Sequence, residues 1–77
     1  MLYLVLCQCY LSNVIKLSAE EGEIEAMTSL GVMYDLGQGV LENKNQAVYW
    51  YKLAAEQGHS EAQYNLAISY YKGTGVP

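Results

Sequence analysis

The run Ala47-Val48-Tyr49-Trp50-Tyr51-Lys52-Leu53-Ala54-Ala55-Glu56-Gln57-Gly58-His59-Ser60-Glu61-Ala62-Gln63-Tyr64-Asn65-Leu66-Ala67 decides the fold. It holds two helical patterns with one glycine between them. Ala47, Trp50, Tyr51, Ala54 and Ala55 fall at i, i+3, i+4, i+7 and i+8, a full apolar stripe on one helix. Gly58 supplies a left-handed exit at its end. The next helix starts near Ser60, with Gln63 three places on, and carries Ala62, Leu66 and Tyr70. Upstream, Asn43 followed by Gln46 has the spacing of a capping box at the start of the first of these helices.

The same pattern occurs 36 residues earlier. Gly22 falls on Gly58, Glu25 on Glu61, Ala26 on Ala62, Leu30 on Leu66 and Tyr34 on Tyr70. Gly37, Gly39 and Val40 fall on Gly73, Gly75 and Val76, making eight identities in the twenty pairs from 22/58 to 41/77. Lys16, Leu17, Ala19 and Glu20 likewise repeat as Lys52, Leu53, Ala55 and Glu56. The chain therefore reads as three pieces. Residues 1–21 are a degenerate or capping helix, the second half of a preceding repeat. Residues 22–57 are one complete repeat, and residues 58–77 are the first half of a following, truncated one. In the complete repeat, Ala26, Leu30 and Tyr34 form the first helix's stripe with Met27 and Met33, and Glu20, Glu21, Glu23 and Glu25 gather at its start, where the helix dipole favours negative charge. Small residues at Ala26, Gly31, Ala47, Ala54, Ala55, Ala62 and Ala67 let helices approach closely, and Trp50, Tyr34, Tyr51 and Tyr70 fill the spaces between. A helix pair of this kind cannot bury its stripe alone and needs another stacked on it. The expected fold is all-α, an α-solenoid of antiparallel helix pairs.

Composition narrows the function. The 77 residues are 52% hydrophobic and 16% charged, with eight Tyr, one Trp and no Phe. Four Lys and no Arg against eight acids give a net charge of −4, which excludes the basic face that nucleic-acid binding needs. The apolar stretch from Leu2 to Leu11 lacks the positive start and the cleavage site of a signal peptide. Gln8, Ser12, Asn13 and Lys16 interrupt it before a membrane span of about 20 residues accumulates. Its first reading is a buried helix, and a signal or membrane-directing segment is the alternative.

The run 47–67, the segment Leu30-Gly31-Val32-Met33-Tyr34 and the turns Gly37-Gln38-Gly39-Val40 and Gly73-Thr74-Gly75-Val76 resemble the Sel1-like repeat, a relative of the tetratricopeptide repeat. The resemblance covers residues 14–77. Asn43 stands where the family usually has Asp, and Ala67 where it has the glycine that Gly31 keeps. Val14 and Ile15 occupy the positions of Trp50 and Tyr51 one repeat earlier. The resemblance implies a protein-interaction scaffold rather than an enzyme. Some relatives staple each helix pair with paired cysteines, and the complete repeat here has none.

No catalytic residues are assigned. Cys7 and Cys9, two apart, point to different sides of a helix and read as small core residues. With one histidine in the chain, no metal set is expected, and no cofactor either. His59 reads as an exposed loop residue between Gly58 and Ser60. The glycine turns lack the Lys-Ser/Thr of a phosphate loop. The remaining candidates lie on the surface. In tetratricopeptide-like solenoids the first helix of each pair lines the concave face, which implies protein-binding positions at Thr28, Val32, Asp35, Tyr64, Ile68, Tyr71 and Lys72. Tyr64, Ile68 and Tyr71 share one helical face at i, i+4 and i+7 and avoid the packing positions Ala62, Leu66 and Tyr70. The expected partner is a protein or peptide, and open helix edges invite self-association. The competing expectation is a fragment of a longer Sel1-like protein with no activity of its own.

Overall fold

The computed structural model describes the backbone of residues 2–76 and the side chains of residues 11–76. The described residues form four helices: α1 (Leu2–Glu20), α2 (Ile24–Leu36), α3 (Lys44–Glu56) and α4 (Ser60–Lys72). Each packs chiefly on its neighbours in the chain, α1 on α2, α2 on α3 and α3 on α4, with α2 and α3 making the most extensive pair. The result is a slab of 36 × 25 × 16 Å. The fold is an all-α helical repeat, as the 36-residue register requires. The N-terminal apolar stretch is helical from Leu2, while the packing expected of Cys7 and Cys9 lies outside the described side chains. Among the described residues, no helix is long and apolar enough to cross a membrane.

The helix ends follow from local chemistry. Gly58 takes φ +87°, its N–H donates to Ala55 O, and the His59 N–H reaches back to Ala54 O. This double bond is a Schellman turn, and it caps carbonyls that the helix itself leaves free. The same turn occurs at Gly22, with φ +100° and bonds from Gly22 N–H to Ala19 O and Glu23 N–H to Ser18 O. Asn43 caps α3, its side chain accepting the Gln46 N–H at 3.2 Å. The reciprocal arm of the capping box is replaced, because the Asn43 N–H donates to Tyr34 O at 2.8 Å and so ties the turn to α2. At α4 the expected Ser60–Gln63 cap does not form. His59 is the capping residue, through its backbone, and Gln63 Nε2 donates to Ala55 O at the end of α3.

The core lies where the stripes meet. Ala19, Met27, Leu30, Trp50, Ala54 and Ala62 form one buried cluster, with Ile15, Ile24, Met33, Tyr34 and Leu53 packed against it. Val48, beside the stripe of α3, is buried as well. Tyr49 meets Trp50 edge to face, ring centres 5.2 Å apart. The closest helix approach is at Gly31. A Cβ there would stand 2.5 Å from the Tyr51 ring, so no side chain fits between α2 and α3 at that point. Gly75 makes a second close approach, its Cα facing the backbone of Lys44 at the start of α3.

Two packing expectations for α4 are corrected. Tyr70 is half exposed and Ala67 is exposed, whereas Ser69 is buried and donates to Asn65 O. The reason is the number of neighbours. α2 is flanked by α1 and α3, but among the described residues α4 packs chiefly on α3, so only one of its sides is covered by them.

Gly31→Ala is expected to cost about 1–3 kcal/mol of stability through overpacking, despite alanine's better helix propensity. In urea melts, Tyr51→Leu in the same chain should recover part of that loss, a non-additivity that a site without contact would not show.

Burial pushes the Tyr51 hydroxyl up to about 12, and the negative charges of Asp35 and Glu61 add to the effect. The unfolded chain loses that proton near the ordinary value of 10.0, so the folded state holds more protons between the two. Stability is therefore complete below pH 10 and falls as pH rises toward 12, by up to about 2–3 kcal/mol from this group. Tyr51→Phe should flatten the alkaline limb of the stability–pH curve measured by circular dichroism.

Candidate functional site

Lys44, the first residue of α3, reaches across to the last turn of α2. Its Nζ donates to Asp35 Oδ1 and to Asp35 O, both at 2.7 Å, and Glu42 lies 4.0 Å away. The Asp35 carbonyl is among the last of α2, with no partner inside the helix, so the ammonium both satisfies it and opposes the helix dipole. The hydrogen bond to Asp35 holds the Lys44 pKa above its ordinary value, against a smaller opposing effect of burial. Both side chains remain about a third exposed, which keeps the pair's contribution to stability small. Its role is to fix the geometry of the surface.

Beside this pair, the ends of α2 and α4 and the turn after α4 enclose a cleft of about 350 Å³. Asp35 and Leu36 form one wall, Ile68, Ser69 and Lys72 the other, with Lys44 and Thr74 at the end. Leu36 is largely exposed, at 58%. The cleft thus offers an apolar floor from Leu36 and Ile68 with two ammonium groups and one carboxylate around it. A second, more open groove of about 280 Å³ lies between α1 and α2, lined by Leu11, Ile15, Met33, Gln38 and Gly39.

Of the residues expected to face a partner, Asp35, Ile68 and Lys72 meet in the first cleft. Val32, the α2 counterpart of Ile68, is half-buried outside it. Tyr64 and Tyr71 stand apart from the cleft and are largely exposed. Thr28 is a correction. It is only 2% exposed, and its hydroxyl lies 3.3 Å from Ile24 O and 2.9 Å from His59 Nδ1. His59 is corrected with it, being half-buried against α2 rather than a loop residue in solvent. The position of Thr28 on α2 looks outward from one helix, but the turn at the start of α4 covers it. Leu36, Lys44, Asn65, Ser69 and Thr74 also line the cleft and are not among the expected positions. The signals open to a sequence reader were an apolar residue closing α2 and a lysine beginning α3, neither of which belongs to a periodic stripe.

Among the described residues, no three of His, Cys, Asp and Glu come together as they would to hold a metal ion. Trp50 Nε1 is the one buried side-chain nitrogen or oxygen among the described residues without a hydrogen-bond partner, and Trp50 belongs to the core cluster.

Thr28→Val keeps the shape of the side chain and removes the bond to His59. It should cost about 1 kcal/mol in urea denaturation. A double-mutant cycle with His59→Ala should return a coupling of about 0.5–1.5 kcal/mol, and a coupling near zero would show that the contact carries no stability.

Comparison with known proteins agrees with this geometry. The Sel1 repeat model matches residues 24–59 and 60–77. No curated protein matches the chain. Among solved structures, a Sel1 repeat protein from Oxalobacter formigenes is similar at 34% identity and a TM-score of 0.81, over 84% of this chain and 27% of that one. The protein c5321, a protective antigen present in uropathogenic Escherichia coli strains and displaying an SLR fold, is similar at 40% identity and a TM-score of 0.83, over 84% of this chain and 14% of that one. The chain thus spans about a quarter and about a seventh of these two relatives. Sel1 repeats are generally non-catalytic protein-interaction modules. On the repeat match over residues 24–77 and the shared helical architecture, the chain belongs to the Sel1 repeat family.

Proposed function

We propose that this chain is a non-catalytic protein-interaction module that takes a protein or peptide segment in the cleft between the ends of α2 and α4. One observation carries the reading. Asp35, Leu36, Ile68 and Lys72 come from two successive repeats, yet they line one cavity large enough for a side chain. Leu36 and Ile68 give an apolar floor, while Lys72 and the Lys44–Asp35 pair give directional polar groups at its rim. A ligand suited to this lining inserts an apolar side chain and carries a carboxylate near it. In the same reading, residues 22–57 form the complete repeat, residues 1–21 the second half of one before it and residues 58–77 the first half of one after it. The surface is thereby assembled between repeat units rather than within one.

The test is selection of peptides from a displayed library on the immobilised chain. Peptides that bind the parent chain should bind Ile68→Glu and Lys72→Glu at least about tenfold more weakly, a loss of about 1.4 kcal/mol. Circular dichroism should show unchanged helicity in both variants. Equal binding to parent and variants would remove the cleft as the site.

A further inference from the structure

We propose that Asp35 sets the preference of the cleft for ligand charge: its carboxylate already occupies the Lys44 ammonium and holds off a ligand's own carboxylate, so that removing this one charge strengthens the binding of acidic ligands. The inference rests on the reading of the cleft as a peptide site and deepens it. Both members of the pair line the cleft. The Lys44 ammonium has three protons to donate. One goes to the backbone carbonyl of Asp35 and one to its Oδ1, each at 2.7 Å. Glu42, at 4.0 Å, stands beyond hydrogen-bond distance, so the third proton is left for a ligand.

The two bonds do different things. The carbonyl bond fixes where the ammonium stands, and it belongs to the backbone, so a change of the Asp35 side chain leaves it in place. The Oδ1 bond sets the charge that the ammonium shows to the cleft. A ligand carboxylate that takes the third proton meets a like charge already seated on the same nitrogen, and the two repel at close quarters. Lys72, on the opposite wall, has no ion pair among the described residues, so the parent cleft directs a ligand carboxylate towards α4. The Asp35–Lys44 pair is also not part of the packing that the repeat imposes. At the counterpart positions 36 residues away stand Tyr71 for Asp35 and Gln8 for Lys44. Both side chains are about a third exposed, so the salt bridge adds little to stability. A charge that the fold does not need is thus fixed by a short bond at the wall of the cleft, where it acts on what enters.

N-acetyl-leucine and N-acetyl-leucinamide test this, since they share an isobutyl group and differ in the charge at one end. Binding to the isotope-labelled 77-residue chain is followed by nuclear magnetic resonance at the Leu36 and Ile68 methyl groups. Asp35→Asn keeps the shape of the side chain and removes its charge. It should bind N-acetyl-leucine about two- to fivefold more tightly than the parent, the range of a partly exposed ion pair. N-acetyl-leucinamide should bind both equally. Asp35→Ser removes the same charge with a different side chain and should show the same gain. Asp35→Asn combined with Lys44→Met should fall back to the parent affinity or below, because the freed ammonium is the source of the gain. Resonances outside the cleft report that each variant keeps the fold. Equal binding of N-acetyl-leucine to parent and Asp35 variants would overturn the inference and leave the cleft reading standing. A double variant that binds as tightly as Asp35→Asn would overturn it as well, since Lys44 would then not be the seat. No methyl shift with either probe, in parent or variants, would overturn the cleft reading and the inference together.

Discussion

The Tyr51 ring lies on the bare backbone of Gly31, and the spacing of α2 and α3 is set there. Helices of 13 residues are marginal in water on their own, and each here has an apolar side that only a neighbour can cover. Removing one Cβ brings α2 and α3 close enough for the rest to follow. At that distance Leu30 and Trp50 share one buried cluster, and Lys44 can reach the last turn of α2. With the start of α3 held in place, the turn at Gly75 can settle against it and close one end of the cleft.

The polar groups follow the same economy. Few are buried, and those that are mostly serve helix ends or neighbouring helices. Thr28 is met by His59, Ser69 by the Asn65 carbonyl, and the Asp35 carbonyl by Lys44. Gln63 and Gln57 reach back to carbonyls of α3, at Ala55 and Leu53. Among the described residues, none of these groups joins a set of three that could hold a metal ion. The surface they leave offers a cleft of mixed lining, with Leu36 and Ile68 among charged and polar side chains, and tyrosines with large contact area and few rotors to immobilise.

The features legible in the sequence are those whose cause lies within one repeat. The 36-residue register, the Asn43 cap, the turn at Gly58 and the burial of Ala47, Trp50, Tyr51 and Ala54 all follow from short spacings and helical periodicity. Misreadings cluster where burial is decided by the adjacent repeat. Thr28 occupies an outward position on α2 and is covered from the turn before α4, whereas Ala67 and Tyr70 occupy packing positions that no helix among the described residues covers. The sequence places Asp35 among the partner-facing positions, but its side chain pairs with Lys44, nine residues on, across a glycine turn whose path no periodicity reveals. The cleft was half visible for the same reason: its α4 wall lies on a helical face, and its Lys44 and Thr74 end lies in turns.

The chain-neighbour pattern of contacts has a mechanical consequence. Because the principal packing among the described residues joins α1 to α2, α2 to α3 and α3 to α4, few contacts pin together segments distant in the chain. A force applied at the two termini would meet these contacts in series, as in a zip fastener, and not in parallel, as across a sheared sheet. The slab should therefore lengthen by successive detachment of end helices at low force, and a partner that grips two neighbouring helices would act as a stop on that unzipping.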